Sequence, residues 1–216
     1  MSRETASGAA LIAGALGSVI TMVLHPTTST IEGIVHRSAV TQGTHILAIA
    51  CVPLLFLGLL GLHQRVKGAA ICAPAALVIY GYGAVAVLSA AVINGLAAPA
   101  YATRFSQDAA FQAMLPAIIS YGAVLNAGFA KVFMAANSVA IILWAIAILR
   151  TGAFPRWTGV FGGIVGTGEL IGLVAGVFTT SVQSFGLFIL GCSAWFVVIG
   201  AFLCSGPPTR SAMRNP

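Results

Sequence analysis

The stretch Ala69–Val92 reads AAICAPAALVIYGYGAVAVLSAAV and holds no charged residue in 24 positions. A helix needs about 20 mostly apolar residues to cross a hydrocarbon core of about 30 Å, so this segment alone predicts a membrane span. It shows neither the alternation of a half-buried strand nor the polar stripe of a soluble helix. Five more windows of the same character lie on either side. The six expected spans cover residues 7–25, 45–63, 69–92, 128–149, 157–178 and 185–204.

The composition agrees with this reading. Of 216 residues, 59% are hydrophobic and 6% are charged, and the mean hydropathy is +1.01. Soluble domains carry roughly 25% charged residues, so this chain lacks the polar side chains to cover a surface in water. A soluble enzyme, a nucleic-acid binder and a disordered chain are excluded as classes. The net charge of +6 is scattered over short segments and forms no basic patch. The expected fold is an all-α integral membrane protein, a single six-helix transmembrane domain over residues 1–216.

Lysine and arginine set the threading. With six spans, Arg3, Arg65, Lys67, Arg150, Arg156, Arg210 and Arg214 fall on one side, Arg37 and Arg104 on the other, and Lys131 lies within the fourth span. Both termini are therefore expected in the cytoplasm, in a membrane of the bacterial inner type. The first span is expected to be retained, because no small-x-small cleavage site follows it before His25-Pro26. The connections 26–44 and 94–115 are expected to be long outer loops, the second with an amphipathic stretch around Phe105 to Met114 that suits the interface plane.

Glu169 is the costliest residue in the chain. A carboxylate at bilayer depth costs several kcal/mol unless it is paired, protonated or wetted. It lies 13 residues beyond Arg156, or about 20 Å along a helix. Glycines at 159, 163, 166, 168, 172 and 176 surround it at spacings that let helix backbones approach closely. Lys131 precedes Arg150 by 19 residues, which places it about 28 Å along its helix, near the outer interface. Two readings follow: a snorkelling interfacial lysine, or a salt bridge reaching down to Glu169. Asn126 and Tyr121 add polar groups at the same end. Glu169, Lys131, Asn126 and Tyr121 form the candidate ion or substrate site.

The histidines make a second constellation. His25 ends the first span, Glu32 and His36 lie in the following connection, and His45 opens the second span. Three imidazoles and a carboxylate match the ligand set of a divalent zinc, copper or iron site, with Met22 a soft addition for copper. No fixed signature such as HExxH accompanies them. The competing reading has His25 capping helix carbonyls and Glu32–His36 supporting a short surface helix.

Pro53 and Pro74 are expected to bend spans two and three, and Tyr80 and Tyr82 bring hydroxyls into span three. Together these features suggest a polar cavity between spans two to five, open to the outside. The four cysteines, Cys51, Cys72, Cys192 and Cys204, read as small apolar packing residues. The sequence contains neither a GxSxG elbow nor a Walker loop. Three functions stay open: a small transporter or channel built on an intramembrane carboxylate, a metal-binding or metal-dependent membrane enzyme, and a structural subunit of a larger complex. The expected partners are the lipid bilayer and a second copy or a membrane-complex subunit on the glycine faces, with no nucleic acid.

Overall fold

The computed structural model describes residues 2–27, 30–69 and 71–206, and every regular element among them is helical. In chain order these are α1 (Arg3–Leu24), α2 (Ile31–His36), α3 (Ser38–Arg65), α4 (Cys72–Ala91), α5 (Ala98–Phe105), α6 (Ala109–Gln112), α7 (Leu115–Thr151), α8 (Arg156–Val174) and α9 (Val182–Cys204). A π turn, Val92–Ala97, fuses α4 to α5. Among the described residues six helices are long and apolar enough to span a membrane: Arg3–Leu24, Ser38–Arg65, Cys72–Phe105, Leu115–Thr151, Arg156–Val174 and Val182–Cys204. The chain is thus a six-helix bundle of membrane-protein type. Arg210 and Arg214 lie outside the described residues.

Local chemistry sets the ends. Ser2, Thr30, Asp108 and Ser181 each accept a backbone N–H at the start of a helix, satisfying one of its orphan donors. Gly152, at φ 63°, closes α7 by sending its N–H back to the Ile148 carbonyl, a left-handed cap that glycine alone adopts freely.

The spans overrun their expected limits on one side. At 37 residues, α7 is about 55 Å long and exceeds the hydrocarbon thickness by several turns. The expected loops at 26–44 and 94–115 are therefore largely helical. Pro116 falls within the first turn of α7, where its missing N–H is no loss. Asn94 and Gly95, in the expected loop, belong to the π turn, and Pro99 falls in the first turn of α5. Pro74 also sits in a first turn, that of α4, and does not break the helix. Pro53 is interior to α3.

The six spans close into a ring in the order α1, α3, α4, α7, α8, α9. Glycine permits the closest approaches. A Cβ on Gly58 would lie 2.7 Å from the Leu11 Cα, and one on Gly8 would lie 2.5 Å from the Gly200 carbonyl oxygen. In lipid such backbone proximity and side-chain packing hold helices together, because burial of apolar surface from lipid adds little. The middle of the ring is filled by Leu11, Leu59, Tyr80, Ile141, Trp144, Trp195, Phe196 and Ile199, all nearly or fully buried. Tyr82, by contrast, is exposed.

The arginine-rich end is tied by Arg65. Its guanidinium donates to the carbonyls of Phe202 (2.9 Å) and Gly206 (3.2 Å), lies 4.6 Å from the centre of the Phe154 ring and stands 3.9 Å from Glu4. A cation on the last carbonyls of α9 also complements the negative end of that helix.

Candidate functional site

Away from the arginine-rich end, a cavity of about 140 Å³ opens between the helices, and Thr21, Met22, His25, His45, Asn94 and Asn126 are among its lining residues. His25 caps α1 and His45 lies in the second turn of α3, so the α1–α3 hairpin brings the two imidazoles together. Their centroids are 4.9 Å apart with planes inclined at 64°. His25 Nδ1–H donates to the Pro26 carbonyl at 3.0 Å, and His45 Nδ1–H donates to the Thr41 carbonyl at 2.8 Å. A carbonyl only accepts, which fixes the proton of each ring on Nδ1 and leaves each Nε2 with a lone pair. Burial pushes the His25 imidazole below its ordinary value, and the bond to Pro26 offsets this only in part.

The π turn forms the opposing wall. The Ala98 N–H reaches the Ile93 carbonyl five residues back, and Pro99 has no N–H to offer the turn before it. Freed backbone groups at membrane depth are tolerated where they line a cavity. Gly95 is pressed on His45 so closely that a Cβ there would overlap the imidazole ring. Nothing in the spacing of the sequence ties Gly95 to a residue 50 positions earlier.

Beneath the cavity, toward the middle of the bundle, Phe133, Phe178, Phe185 and Phe188 form an aromatic layer with neighbouring centroids 6.0 to 6.2 Å apart. Phe185 belongs to both the cavity wall and this layer. One helical turn further in, about 6 Å along α7 and α9, lies a polar node.

Glu169 is the centre of that node and is 5% exposed. The Cys192 thiol lies 3.2 and 3.3 Å from its two carboxyl oxygens and donates its one proton between them. Asn137 Nδ2 in turn donates to Cys192 Sγ at 2.9 Å, while Asn137 Oδ1 is buried without a partner among the described residues. The Ser138 hydroxyl, also buried on α7, donates to the Met134 carbonyl. Gly191 leaves the space that the carboxyl occupies, since a Cβ there would stand 2.7 Å from Oε1. Three helices, α7, α8 and α9, thus enclose the acid. The reading of Cys192 as a plain packing residue is corrected here: it is the acid's hydrogen-bond donor, a role fixed by α8–α9 packing.

The other expected residues are dispersed. Lys131 is exposed and lines a groove with Leu173, Phe178 and Thr179, one to two turns from Glu169. Among the described residues Arg65–Glu4 is the only ion pair, so Lys131 and Glu169 do not meet. Asn126 lines the histidine cavity, whereas Tyr121 is 67% exposed. Glu32 and His36 line a separate pocket with Ser106, Gln107 and Gln112. The structure therefore joins His25 to His45 and sets Glu32 and His36 apart. Among the described residues no three His, Cys, Asp or Glu side chains gather as a metal-binding group. No protein-family model, curated protein or solved structure matches the chain.

Proposed function

We propose that the protein is a small proton-linked membrane transporter, with the histidine cavity as its entry vestibule and Glu169 as the group that gains and loses the proton. The observation that carries this reading is Glu169 itself: a carboxyl 5% exposed, without a basic partner among the described residues, one helical turn beneath an aromatic layer that floors an open cavity. Leaving a carboxylate unpaired at such depth is costly, and a bundle that served only for anchorage gains nothing from it. The phenylalanine layer bars the way between vestibule and acid, so passage requires those rings to turn aside, as in alternating access. The surplus of lysine and arginine at the opposite end supports placing the vestibule outside and both termini in the cytoplasm of a bacterial-type inner membrane.

Proton movement is measured in liposomes of purified protein with a trapped pH dye and an imposed gradient. Wild-type protein is expected to carry a flux that varies with pH. Glu169→Gln, which keeps shape and hydrogen-bonding capacity, is expected to remove that variation while the protein stays monodisperse. A flux with unaltered pH dependence in Glu169→Gln refutes the role of the acid, and wild-type liposomes no leakier than empty ones refute transport of protons.

A further inference from the structure

We propose that His25, His45 and Met22 form a binding site for a soft monovalent metal ion, Cu(I) or its analogue Ag(I). Both imidazoles are held by backbone carbonyls at Nδ1, the arrangement that orients metal-binding histidines and makes the other nitrogen more basic. Among the described residues no hydrogen bond uses either Nε2, and both rings line the same cavity. Metal–nitrogen bonds of about 2 Å require two nitrogens about 4 Å apart, within reach of rings whose centres are 4.9 Å apart. Met22 lies one helical turn before His25, lines the same cavity and brings a thioether.

The charge of the cavity selects the ion. Among the described residues its lining contains no carboxylate and no cysteine, and Glu32 lines another pocket. A divalent ion would bring two uncompensated charges into a poorly solvated space. A d¹⁰ monovalent ion brings one, and it accepts two or three soft neutral ligands without demanding more. Zinc sites ordinarily take at least three imidazole, thiolate or carboxylate ligands and non-haem iron sites add a carboxylate to their histidines, whereas this cavity offers two imidazoles and a thioether.

Purified full-length protein in mild detergent is titrated with Ag(I) alone, and with Cu(I) under ascorbate against a chromophoric Cu(I) chelator. One ion per chain is expected. Removal of either imidazole, in His25→Ala or His45→Ala, is expected to weaken binding by at least about 100-fold, and Met22→Leu by about tenfold. Cys72→Ala/Cys204→Ala, which removes the two less buried thiols, is expected to bind as wild type does. The wild-type protein provides a test that no misfolded variant can spoil: ¹⁵N spectra of its imidazoles are expected to show Ag(I) shifting the Nε2 signals of two histidines while Nδ1 keeps its proton. Absent binding, binding retained in both histidine variants, binding lost with the cysteines, or unshifted Nε2 signals each overturn the site. The inference concerns binding and does not require transport. If Ag(I) fails to bind while the Glu169-dependent flux persists, the metal site falls and the transport reading stands.

Discussion

Replacing Gly191 by alanine tests whether the Glu169 carboxyl is held where the structure puts it. In an ordinary helix Gly→Ala stabilises by roughly 0.5–1 kcal/mol through the lost freedom of glycine. Here the new Cβ would stand 2.7 Å from Oε1, 3.8 Å from Cδ and 4.0 Å from Val165 Cγ1. Carbon and oxygen need more than 3 Å, so the carboxyl must move by roughly half an ångström, in a core packed too tightly to yield freely. Overpacking of this kind costs about 1–3 kcal/mol, and the shifted acid loses its thiol donor for about 1 kcal/mol more. After the helix gain is subtracted, a net loss of about 1–3 kcal/mol is expected. The assay is reversible unfolding in mixed micelles as a denaturing detergent is titrated in. Gly168→Ala is the control, because nothing lies within 4 Å of its Cβ position, and it is expected to be neutral or stabilising. In a Glu169→Ala background the Gly191 penalty is expected to vanish, a coupling of about 1–3 kcal/mol between touching residues. A Gly191→Ala protein as stable as Gly168→Ala, or a penalty undiminished when Glu169 is gone, refutes the enclosure of the acid.

Two further perturbations probe the ends of the bundle. Arg65→Met removes both carbonyl bonds and the stacking on Phe154 and is expected to cost about 2–4 kcal/mol; Glu4→Gln, which touches only a half-exposed ion pair, is expected to cost less than about 1 kcal/mol. Equal losses in the same unfolding titration contradict the assignment of Arg65 to α9 rather than to Glu4. Gly95→Ala is expected to drive the His45 ring from its position against the π turn, at about 1–3 kcal/mol, with a visible change in the ¹⁵N signals of that imidazole. Unchanged His45 signals contradict the close contact.

Composition is a bulk property and so reveals the spans: 6% charge leaves six apolar helices little alternative to lipid. Glu169 was equally legible, because a single acid in an apolar run is conspicuous without knowledge of its neighbours. Its partners were not. Axial spacing gives depth along a helix and says nothing of which helix stands alongside, so the donor proved to be Cys192 on α9 rather than Lys131 on α7. Lys131 is exposed and lines a groove with Thr179, a position from which a lysine stem can reach water. The histidine pair was half legible. A helical hairpin brings its two flanking residues together, hence His25 beside His45, but Glu32 and His36 turn with α2 toward Gln107 and Gln112. The π turn left only indirect traces in Gly95 and Pro99, both of which read equally well as a loop.

The closure of the ring between α1 and α9 has a consequence for biogenesis. Of the six spans, the first in chain order finishes its packing against the last. Until α9 arrives, the face of α1 that carries Gly8 and Ile12 is turned to lipid or to the insertion machinery. The nascent bundle is an open crescent held on that side by the α1–α3 hairpin alone. Closure then brings together, at one rim, the Gly8–Gly200 crossing, the Cys204 thiol on the Thr5 carbonyl and the Arg65 bonds to α9. The ring of these six helices is thus complete only once α9 is inserted, and a chain halted before Val182 would lack the seam between α1 and α9.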